Sequence, residues 1–199
     1  MIFSFPHYYG DLMDIPWDSE GTRKFVTNVG LITSDGPHGN NIMAAEWTHL
    51  VSYSPGLIAV HIGQGKATLE NIRKTKEFGV SITSNDQNIA SSVSGTTSGR
   101  TTNKTEALKE LGFKFYKGKK INPMMVENAA LNAECKVIKE IELGDHVMIV
   151  GEVVALQING KEPLAYHKGQ YWTMVKNVKK SSDKERERIR SVVEKHKKN

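Results

Sequence analysis

Residues 40–63 read NNIMAAEWTHLVSYSPGLIAVHIG and decide the fold. The stretch divides at Ser54-Pro55-Gly56, a combination typical of turns, into two extended segments. The second segment, Leu57–Ile62, is apolar and rich in β-branched residues, as expected of a strand buried in a core. The first segment, Ala44–His49, mixes small, charged, aromatic and polar side chains and has no continuous apolar face. This segment therefore needs an explanation other than core packing.

The sequence on either side of this stretch predicts more strands. Residues 25–34 are rich in β-branched side chains and end at the turn signal Asp35-Gly36, so we expect a hairpin between 25–34 and 40–53. Thr68 is expected to cap a short helix through its hydroxyl group. Residues 78–83 then read as a fourth strand.

The second half of the chain returns to the period of two that is typical of strands. Two long strands are predicted over 131–140 and 147–156. Asn159-Gly160 is a strong hairpin signal and predicts pairing of 151–158 with 161–167. About seven strands joined by hairpins, with short helices between them, favour a mainly β fold that closes as a small antiparallel, Greek-key-like barrel. Side chains fill a barrel of this size, so a large ligand would bind outside it or at a subunit junction.

Composition and charge exclude several classes of protein. The 199 residues suit one domain, and no apolar run approaches the about 20 residues of a membrane helix. Cys135 is the only cysteine, which favours the cytoplasm. Residues 176–199 hold ten Lys/Arg and four Asp/Glu, a charge of +6 against +5 for the whole chain, so the rest sums to −1. The basic charge thus belongs to a solvated C-terminal helix over 181–198, and nucleic-acid binding by the body is not expected.

Familiar catalytic and metal motifs are absent from the sequence. There is no GxSxG, no GxGxxG after a strand and no close histidine pair, so we expect neither a nucleophile-elbow hydrolase, nor a Rossmann site, nor a bound metal. Residues 63–68, GQGKAT, lack the spacing of a phosphate loop. Lys66 and Thr68 nevertheless stand at a predicted helix N-terminus, where an anion is favoured. The Ser/Thr/Gly-rich residues 92–103, with Arg100 and Lys104, form a second candidate anion-facing loop.

The order of these segments resembles the flavin reductase-like family, the FMN-binding split β-barrel group that includes flavoredoxin. The resemblance covers about residues 22–175. It rests on residues 41–62, where an Asn is followed by small residues, a Trp and Ser-x-x-Pro before an apolar strand. Later matches are Thr68–Ile72, Glu77–Ile82, Ser94-Gly95, Ala133–Val137, Gly144–His146, Ile149–Val153, Pro163–Tyr166 and Gly169–Tyr171.

The resemblance implies a homodimer that holds FMN non-covalently near the subunit junction. It places the segment 44–48 along the flavin ring, Lys66 near the phosphate group, and His146 close to the flavin or the nicotinamide as the candidate catalytic residue. The implied cofactor-binding residues are Ala44, Ala45, Glu46, Trp47, Thr48, Ser52, Tyr53, His61, Gly63, Lys66, Thr68, Ser94 and Arg100.

Glu46 departs from the family pattern, which has a small hydroxyl residue at this position. A carboxylate beside a flavin would disfavour the anionic reduced flavin and lower its reduction potential, unless the carboxylate points away from the ring. The sequence leaves the direction of this side chain open.

The implied function is an FMN-dependent oxidoreductase that takes hydride from NADH or NADPH and reduces flavin or another small acceptor. Two alternatives stay open: an FMN-binding electron carrier without a nicotinamide site, and an interaction module that uses the basic tail. We divide the chain into an aromatic arm (1–21), the barrel domain (22–178) and the helical tail (179–199). The arm has five of the fifteen aromatic residues in its first 17 positions, so we expect it to pack on the body or on the partner subunit, or to cover the flavin.

Overall fold

A computed structural model describes residues 13–175 and 182–197 of the chain. Its strands are β1 Thr27–Asn28, β2 Gly30–Ser34, β3 Asn41–Ala45, β4 Thr48–Tyr53, β5 Gly56–Gly63, β6 Glu77–Ile82, β7 Phe115–Lys117, β8 Met124–Val126, β9 Leu131–Leu143, β10 His146–Ile158, β11 Ala165–His167 and β12 Gln170–Trp172. Its α-helices are α1 Ala67–Thr75, α2 Asn88–Thr96, α3 Lys104–Glu110 and α4 Asp183–Lys195, and a 3₁₀ turn spans Thr22–Lys24.

Seven strands form one antiparallel sheet in the order β3-β2-β6-β9-β10-β5-β4. Its two outer strands, β3 and β4, are consecutive in the chain and only Glu46 and Trp47 lie between them. So short a link forces the sheet to curl until its two edges approach each other. Thr48 donates a hydrogen bond from its hydroxyl to the carbonyl of Ala45 at 2.9 Å and ties the two edges together. The sheet is therefore a barrel whose seam is the segment 44–48.

The barrel interior is an apolar core to which nearly every strand of the sheet contributes. Leu69 and Ile72 of α1 join this core and are fully buried, as their spacing on one helix face predicts. A second apolar cluster lies outside the barrel, where Leu31 and Ile42 of β2 and β3 pack against Leu108 of α3 and against residues of α2 and β8. Strands β2 and β3 are thus covered on both faces, which places α2 and α3 beside the seam.

Several sequence-based expectations are confirmed. The first hairpin is β2 with β3, although only 30–34 of the expected 25–34 take part and 27–28 pair with β11 in another sheet. The turn at 54–55 joins β4 to β5, and the two long strands are β9 and β10. The charged helix near the C-terminus is α4, whose residues are all exposed. Within the described residues no helix is long and apolar enough to cross a membrane.

The structure also corrects three local expectations. Residues 40–53 are two strands rather than one, because the chain crosses from one edge of the sheet to the other at Glu46 and Trp47. Thr68 is not the cap of α1, since the helix begins one residue earlier and Lys66 is the N-cap residue. The Asn159-Gly160 hairpin is wrong, because β10 pairs with β9 and β5 and not with 161–167. The side chain of Asn159 donates to the carbonyl of Ala129 at 2.6 Å instead of closing a two-residue turn. The chain then turns away to pair β11 with β1 and β12 in a separate three-stranded sheet.

The aromatic arm is only partly described. Phe3, Phe5, Tyr8 and Tyr9 lie outside the described residues. Trp17 is 84% exposed in the single chain, so it does not pack on the body. Contact of this residue with a partner subunit stays a prediction.

The packing of the barrel predicts that Gly151→Ala destabilises the protein by about 1–3 kcal/mol through overpacking. A Cβ atom at Gly151 would lie 2.5 Å from Cζ of Phe78 and 2.8 Å from Cβ of Cys135, both fully buried. Gly160→Ala is the matched control, because nothing lies within 4 Å of its Cβ position. Urea denaturation of the two variants measures the difference, and equal midpoints would contradict this packing.

Candidate functional site

A cavity of about 220 Å³ lies beside the barrel seam. Strand β3 forms one wall through Asn41, Met43 and Ala44, and the first turn of α1 forms another. The C-terminal part of α2 and the loop at 97–99 close it. Helix α2 reaches β3 because neither side has bulk, since a Cβ atom at Gly95 would lie 3.4 Å from Cβ of Ala44. The small side chain of Ala44 in the segment 44–48 thus allows α2 to pack closely on β3 beside the cavity.

The cavity carries positive charge without a balancing acid. Lys66 and Lys104 line it, and none of its lining residues is Asp or Glu. The amide of Leu69 donates to the carbonyl of Lys66 at 3.0 Å, which leaves the amides of Ala67 and Thr68 at the N-terminal end of α1 without a partner in the helix. Free amides, the helix dipole and two ammonium groups together favour an anion such as a phosphate group.

Lys104 is the unusual member of this set because it is only 2% exposed. Its Nζ donates to the carbonyl of Ser94 at 3.1 Å and to that of Thr97 at 3.4 Å. Burial, together with the nearby charge of Lys66, lowers the pKa of Lys104 to about 8. A buried ammonium group that meets only carbonyl groups is poorly compensated in the protein alone.

Two buried polar atoms at the cavity have no protein hydrogen-bond partner, namely Oγ of Ser94 and Oδ1 of Asn41. Nδ2 of Asn41 donates to the hydroxyl of Thr68 at 2.9 Å, which fixes the amide and leaves its oxygen free. Gly99 is required next to that oxygen, since a Cβ atom there would lie 2.3 Å from it. The serine hydroxyl suits a phosphate oxygen and the amide oxygen suits a hydroxyl donor. The donor set therefore fits the phosphate and polyol chain of a flavin nucleotide.

A continuous surface leads from the cavity to an aromatic cluster on the outer face of β5 and β10. A Cβ atom added at Gly63 would lie 3.6 Å from Cε of Lys66 and 4.0 Å from Nε2 of His146. The ring of His146 lies 4.7 Å from that of Trp47, centroid to centroid, and His61 meets Trp47 edge-on at 6.2 Å. Nδ1 of His146 is hydrogen-bonded to Asp145 at 2.7 Å, and this bond lowers the pKa of Asp145.

The structure thus brings together two groups of the sequence-predicted site residues. Ala44, Lys66, Thr68 and Ser94 line the cavity, while Trp47, His61, Gly63 and His146 form the adjoining surface. The remaining residues lie apart from both groups: Ala45 and Thr48 are buried in the seam, and Ser52 and Tyr53 are at the far end of β4.

Arg100 lies at a neighbouring cavity of about 420 Å³ rather than at the first one. Its guanidinium forms an ion pair with Glu70 and donates to the carbonyl of Gly65 at 3.3 Å. Glu70 also meets Nε2 of His38 at 2.5 Å, and these hydrogen bonds lower the pKa of Glu70. The charge of Arg100 is therefore already paired.

Glu46 lies in the seam and is half-buried. Its Oε2 accepts a hydrogen bond from the hydroxyl of Thr27 in β1 at 3.5 Å, and the residue is not among those lining the cavity. Burial raises the pKa of this carboxyl group. The carboxylate thus turns toward the small sheet rather than toward Lys66 and α1.

Sequence reasoning did not assign Asn41, Gly99 or Lys104 to the site. Asn41 was visible as the Asn that opens the matched pattern, and Lys104 as a cation of the Ser/Thr/Gly-rich loop. Their burial against one cavity was not visible, because it depends on how α2 and α3 pack on β3. In the part of the chain that the structure describes, no group of three or more His, Cys, Asp or Glu side chains is arranged to hold a metal ion.

Fold and site together define a split β-barrel protein with an anion-receiving cavity at its seam. The chain belongs to the flavin reductase-like family, since the model of the flavin reductase like domain matches residues 22–174. An uncharacterized protein of Archaeoglobus fulgidus is 34% identical over 114 residues, which are 57% of this chain and 63% of that protein. A probable flavin reductase of Rhizobium meliloti is 28% identical over 150 residues, 75% of this chain and 45% of that protein. The chain thus spans less than two thirds of both relatives.

Solved structures confirm the split-barrel fold. The NADH:FAD oxidoreductase SgcE6 of Streptomyces globisporus superposes with a TM-score of 0.73 at 20% identity, over 84% of this chain and 99% of that one. Flavoredoxin from Methanosarcina acetivorans gives 0.72 at 20% identity, over 87% and 97%. The flavin reductase PheA2 gives 0.66 at 26% identity, over 78% and 95%.

The unpartnered hydroxyl predicts an unusual response to Ser94→Ala. Removing a buried polar group that has no hydrogen bond should leave the stability of the cofactor-free protein unchanged or raise it by about 1 kcal/mol. Ser91→Ala on the same helix is the matched control, because the Ser91 hydroxyl is buried and accepts from Tyr171 at 3.0 Å. That change should cost about 1 kcal/mol. Thermal denaturation of both variants without flavin measures the difference in stability. An equal loss of stability in both variants would contradict the unpartnered state of the Ser94 hydroxyl.

Proposed function

We propose that the protein is an FMN-binding oxidoreductase that uses NADH or NADPH to reduce flavin or another small acceptor. The observation that carries this proposal is the acid-free cavity at the N-terminus of α1, which holds Lys66, Lys104 and an unpartnered serine hydroxyl. Membership of the flavin reductase-like family supports a flavin as the ligand.

The size and charge of the cavity favour FMN as that flavin. At about 220 Å³ it is smaller than the roughly 300–1,000 Å³ of pockets that enclose whole ligands. It would therefore take the phosphate end, while the ring would lie on the surface near Trp47. A phosphate monoester carries about −1.5 to −2 charges at pH 7 and matches two ammonium groups.

The chain's own residues have distinct proposed tasks. Lys66, Thr68 and Ser94 bind the phosphate group, and Ala44 leaves room for the bound nucleotide. A flavin bound there would supply the hydride and electron transfer. His146 is proposed to orient the nicotinamide, because its hydrogen bond to Asp145 holds the imidazole and leaves Nε2 directed toward Gly63.

A homodimer with the flavin near its junction is part of this proposal. Strand β4 is an edge of the sheet and exposes Leu50, Val51 and Tyr53. Exposed apolar side chains on an unpaired edge favour association. A partner that covered β4 would lie beside Trp47, so the proposed ring-binding surface would then be at the junction. We also propose a cytoplasmic location from the single cysteine.

An electron carrier with FMN and no nicotinamide site is the second candidate, and the likeness to a flavoredoxin fold favours it. The two functions share the same FMN site and differ in the electron donor. Anaerobic mixing of the FMN-loaded protein with NADH or NADPH separates them. Bleaching of the visible flavin band within a catalytic turnover supports the oxidoreductase, and no bleaching with either donor would assign the carrier.

FMN binding is the first prediction of this proposal. Titration of the flavin-free protein should show tighter binding of FMN than of riboflavin by about tenfold or more, since one charged hydrogen bond is worth about 1.5–3 kcal/mol. Lys66→Met should remove most of this preference and leave riboflavin binding unchanged. Lys74→Met near the C-terminal end of the same helix is the control. Equal affinities for FMN and riboflavin in the unaltered protein would refute the phosphate site.

The dimer is the second prediction. Light scattering should give a mass of twice 22.2 kDa. Leu50→Asp should shift the mass to that of one chain, because Leu50 is 60% exposed on the β4 edge. Ile89→Asp is the control, as an apolar residue of similar exposure (52%) on α2. A dimer that survives Leu50→Asp but not Ile89→Asp would place the junction elsewhere.

A further inference from the structure

Helix α4 has an apolar stripe that is exposed to solvent. The stripe consists of Ile189, Val192 and Val193, which are 48%, 48% and 59% exposed, and no residue of the helix is buried. The helix also lies outside residues 22–174, the part of the chain that the flavin reductase like domain covers. A helix of 13 residues is marginal in water without packing on its apolar side. The apolar stripe therefore indicates a binding partner.

The charged side chains of α4 are arranged around the apolar stripe. Successive residues of an α-helix are turned by about 100°, so the three apolar residues share a stripe about 100° wide. Four cations form two rows that border the stripe, one row on each side. The rows are Arg186 with Arg190, and Arg188 with Lys195. On the side of the helix opposite the stripe lie two acids, Glu187 and Glu194.

Glu185 is the acid of α4 that lies in line with the apolar stripe. It belongs to the first turn of the helix, where a carboxylate stabilises the N-terminus. Ser182 caps this turn, since its hydroxyl accepts a hydrogen bond from the amide of Glu185 at 3.2 Å. The apolar stripe thus begins one turn after the capped end, at Ile189.

We propose that α4 binds the surface of a membrane that contains anionic lipids. The apolar stripe enters the boundary between headgroups and acyl chains, and the two rows of cations bind the anionic headgroups. Long Arg and Lys side chains can keep their charges at headgroup level while the stripe is immersed. Glu187 and Glu194 then face water. This inference goes beyond the proposed function and does not depend on it.

The length and charge of the segment fit a helix that lies on the membrane. A crossing helix needs about 20 apolar residues, whereas α4 has 13 residues and most of them are polar. Residues 176–199 carry a charge of +6, against −1 for the rest of the chain. Each cation close to an anionic membrane surface raises the affinity about fivefold. Electrostatic attraction therefore adds to a modest apolar contact.

A nucleic acid and a second copy of α4 fit the same helix less well. A phosphate backbone is matched by a continuous basic face, whereas in α4 the apolar stripe separates the two rows of cations. Pairing of two such helices as a coiled coil needs heptads sustained over about three repeats or more. The 13 residues of α4 are fewer than two heptads. A lipid surface is the partner that uses the stripe and both rows together.

Cosedimentation of the full chain with lipid vesicles tests this inference. One set of vesicles is phosphatidylcholine alone, and the other is equal parts of phosphatidylcholine and phosphatidylglycerol. We expect binding to the anionic vesicles that is at least tenfold tighter than binding to phosphatidylcholine. This binding should weaken as the concentration of NaCl is raised, because salt screens the attraction.

Two variants separate the apolar contact from the charges. Ile189→Ser should weaken binding to the anionic vesicles about tenfold, since isoleucine and serine have similar helix propensities and only the apolar contact is lost. Leu111→Ser is its control, as an apolar residue of similar exposure (56%) next to α3. Combined Arg188→Gln and Arg190→Gln should weaken binding at least tenfold, because each row loses one cation. Glu187→Gln is the control on the opposite side and should not weaken binding.

Thermal denaturation should show that all of these variants are folded, because the changed side chains are exposed. If the unaltered protein does not sediment with anionic vesicles, or if Ile189→Ser and the double arginine variant bind as the unaltered protein does, the inference is refuted. Binding to RNA or DNA that the double arginine variant loses, without binding to vesicles, would assign α4 to a nucleic acid instead. Loss of a dimer in Ile189→Ser, again without vesicle binding, would assign the stripe to a second copy.

The proposed function is tested separately from this inference. Titration with FMN should give the same affinity for the unaltered protein and for every α4 variant, because α4 is not among the elements that line the cavity. Failure of the unaltered protein to bind FMN would refute the proposed FMN site without bearing on the vesicles. Failure to bind vesicles with normal FMN affinity would refute only the membrane surface.

Discussion

The short link between the two edge strands is the constraint on which the structure depends. Strands β3 and β4 stand at opposite ends of the seven-stranded order, yet only Glu46 and Trp47 separate them in sequence. Three peptide steps span at most about 11 Å, because consecutive Cα atoms lie 3.8 Å apart. The sheet has to curl until its edges come within that distance. The seam so formed is where Ala44, Trp47 and the helix layer meet, and the candidate site lies along it.

The site also depends on the double covering of β3. One face of this strand supplies Met43 and Ala45 to the barrel core, and the other packs Ile42 under α2 and α3. Helix α2 approaches closely because Gly95 faces Ala44. The same approach brings Ser94 and the loop at 97–99 over the N-terminus of α1. The small side chain of Ala44 therefore helps to form the cavity, because it lets α2 pack closely on β3. It also leaves space for a flat ring.

The polar groups that favour ligand binding in this cavity destabilise the ligand-free fold. A buried lysine without a carboxylate, a buried hydroxyl without a partner and a free amide oxygen each cost folding free energy. Structural sites normally satisfy such groups, and groups left unsatisfied around one cavity are typical of a site organised for a ligand. Glu46 is different, since its carboxylate accepts a hydrogen bond from Thr27 and points away from Lys66.

Local patterns in the sequence determined the individual strands, the apolar face of α1, the turn at 54–55 and the charged terminal helix, because each depends on side chains close together in the chain. The ordered segments were also enough to indicate the family and the anion-favouring position of Lys66. Tertiary structure alone decided that Asn159-Gly160 leads away from a hairpin, because β10 pairs with β9 and β5 instead. It alone decided that Arg100 is paired with Glu70 while Lys104 is buried and unpaired. Arg100 and Lys104 lie close together in the same polar stretch of sequence. Only the packing of α2 and α3 on β3 determines that Arg100 meets a carboxylate and that Lys104 lines the cavity.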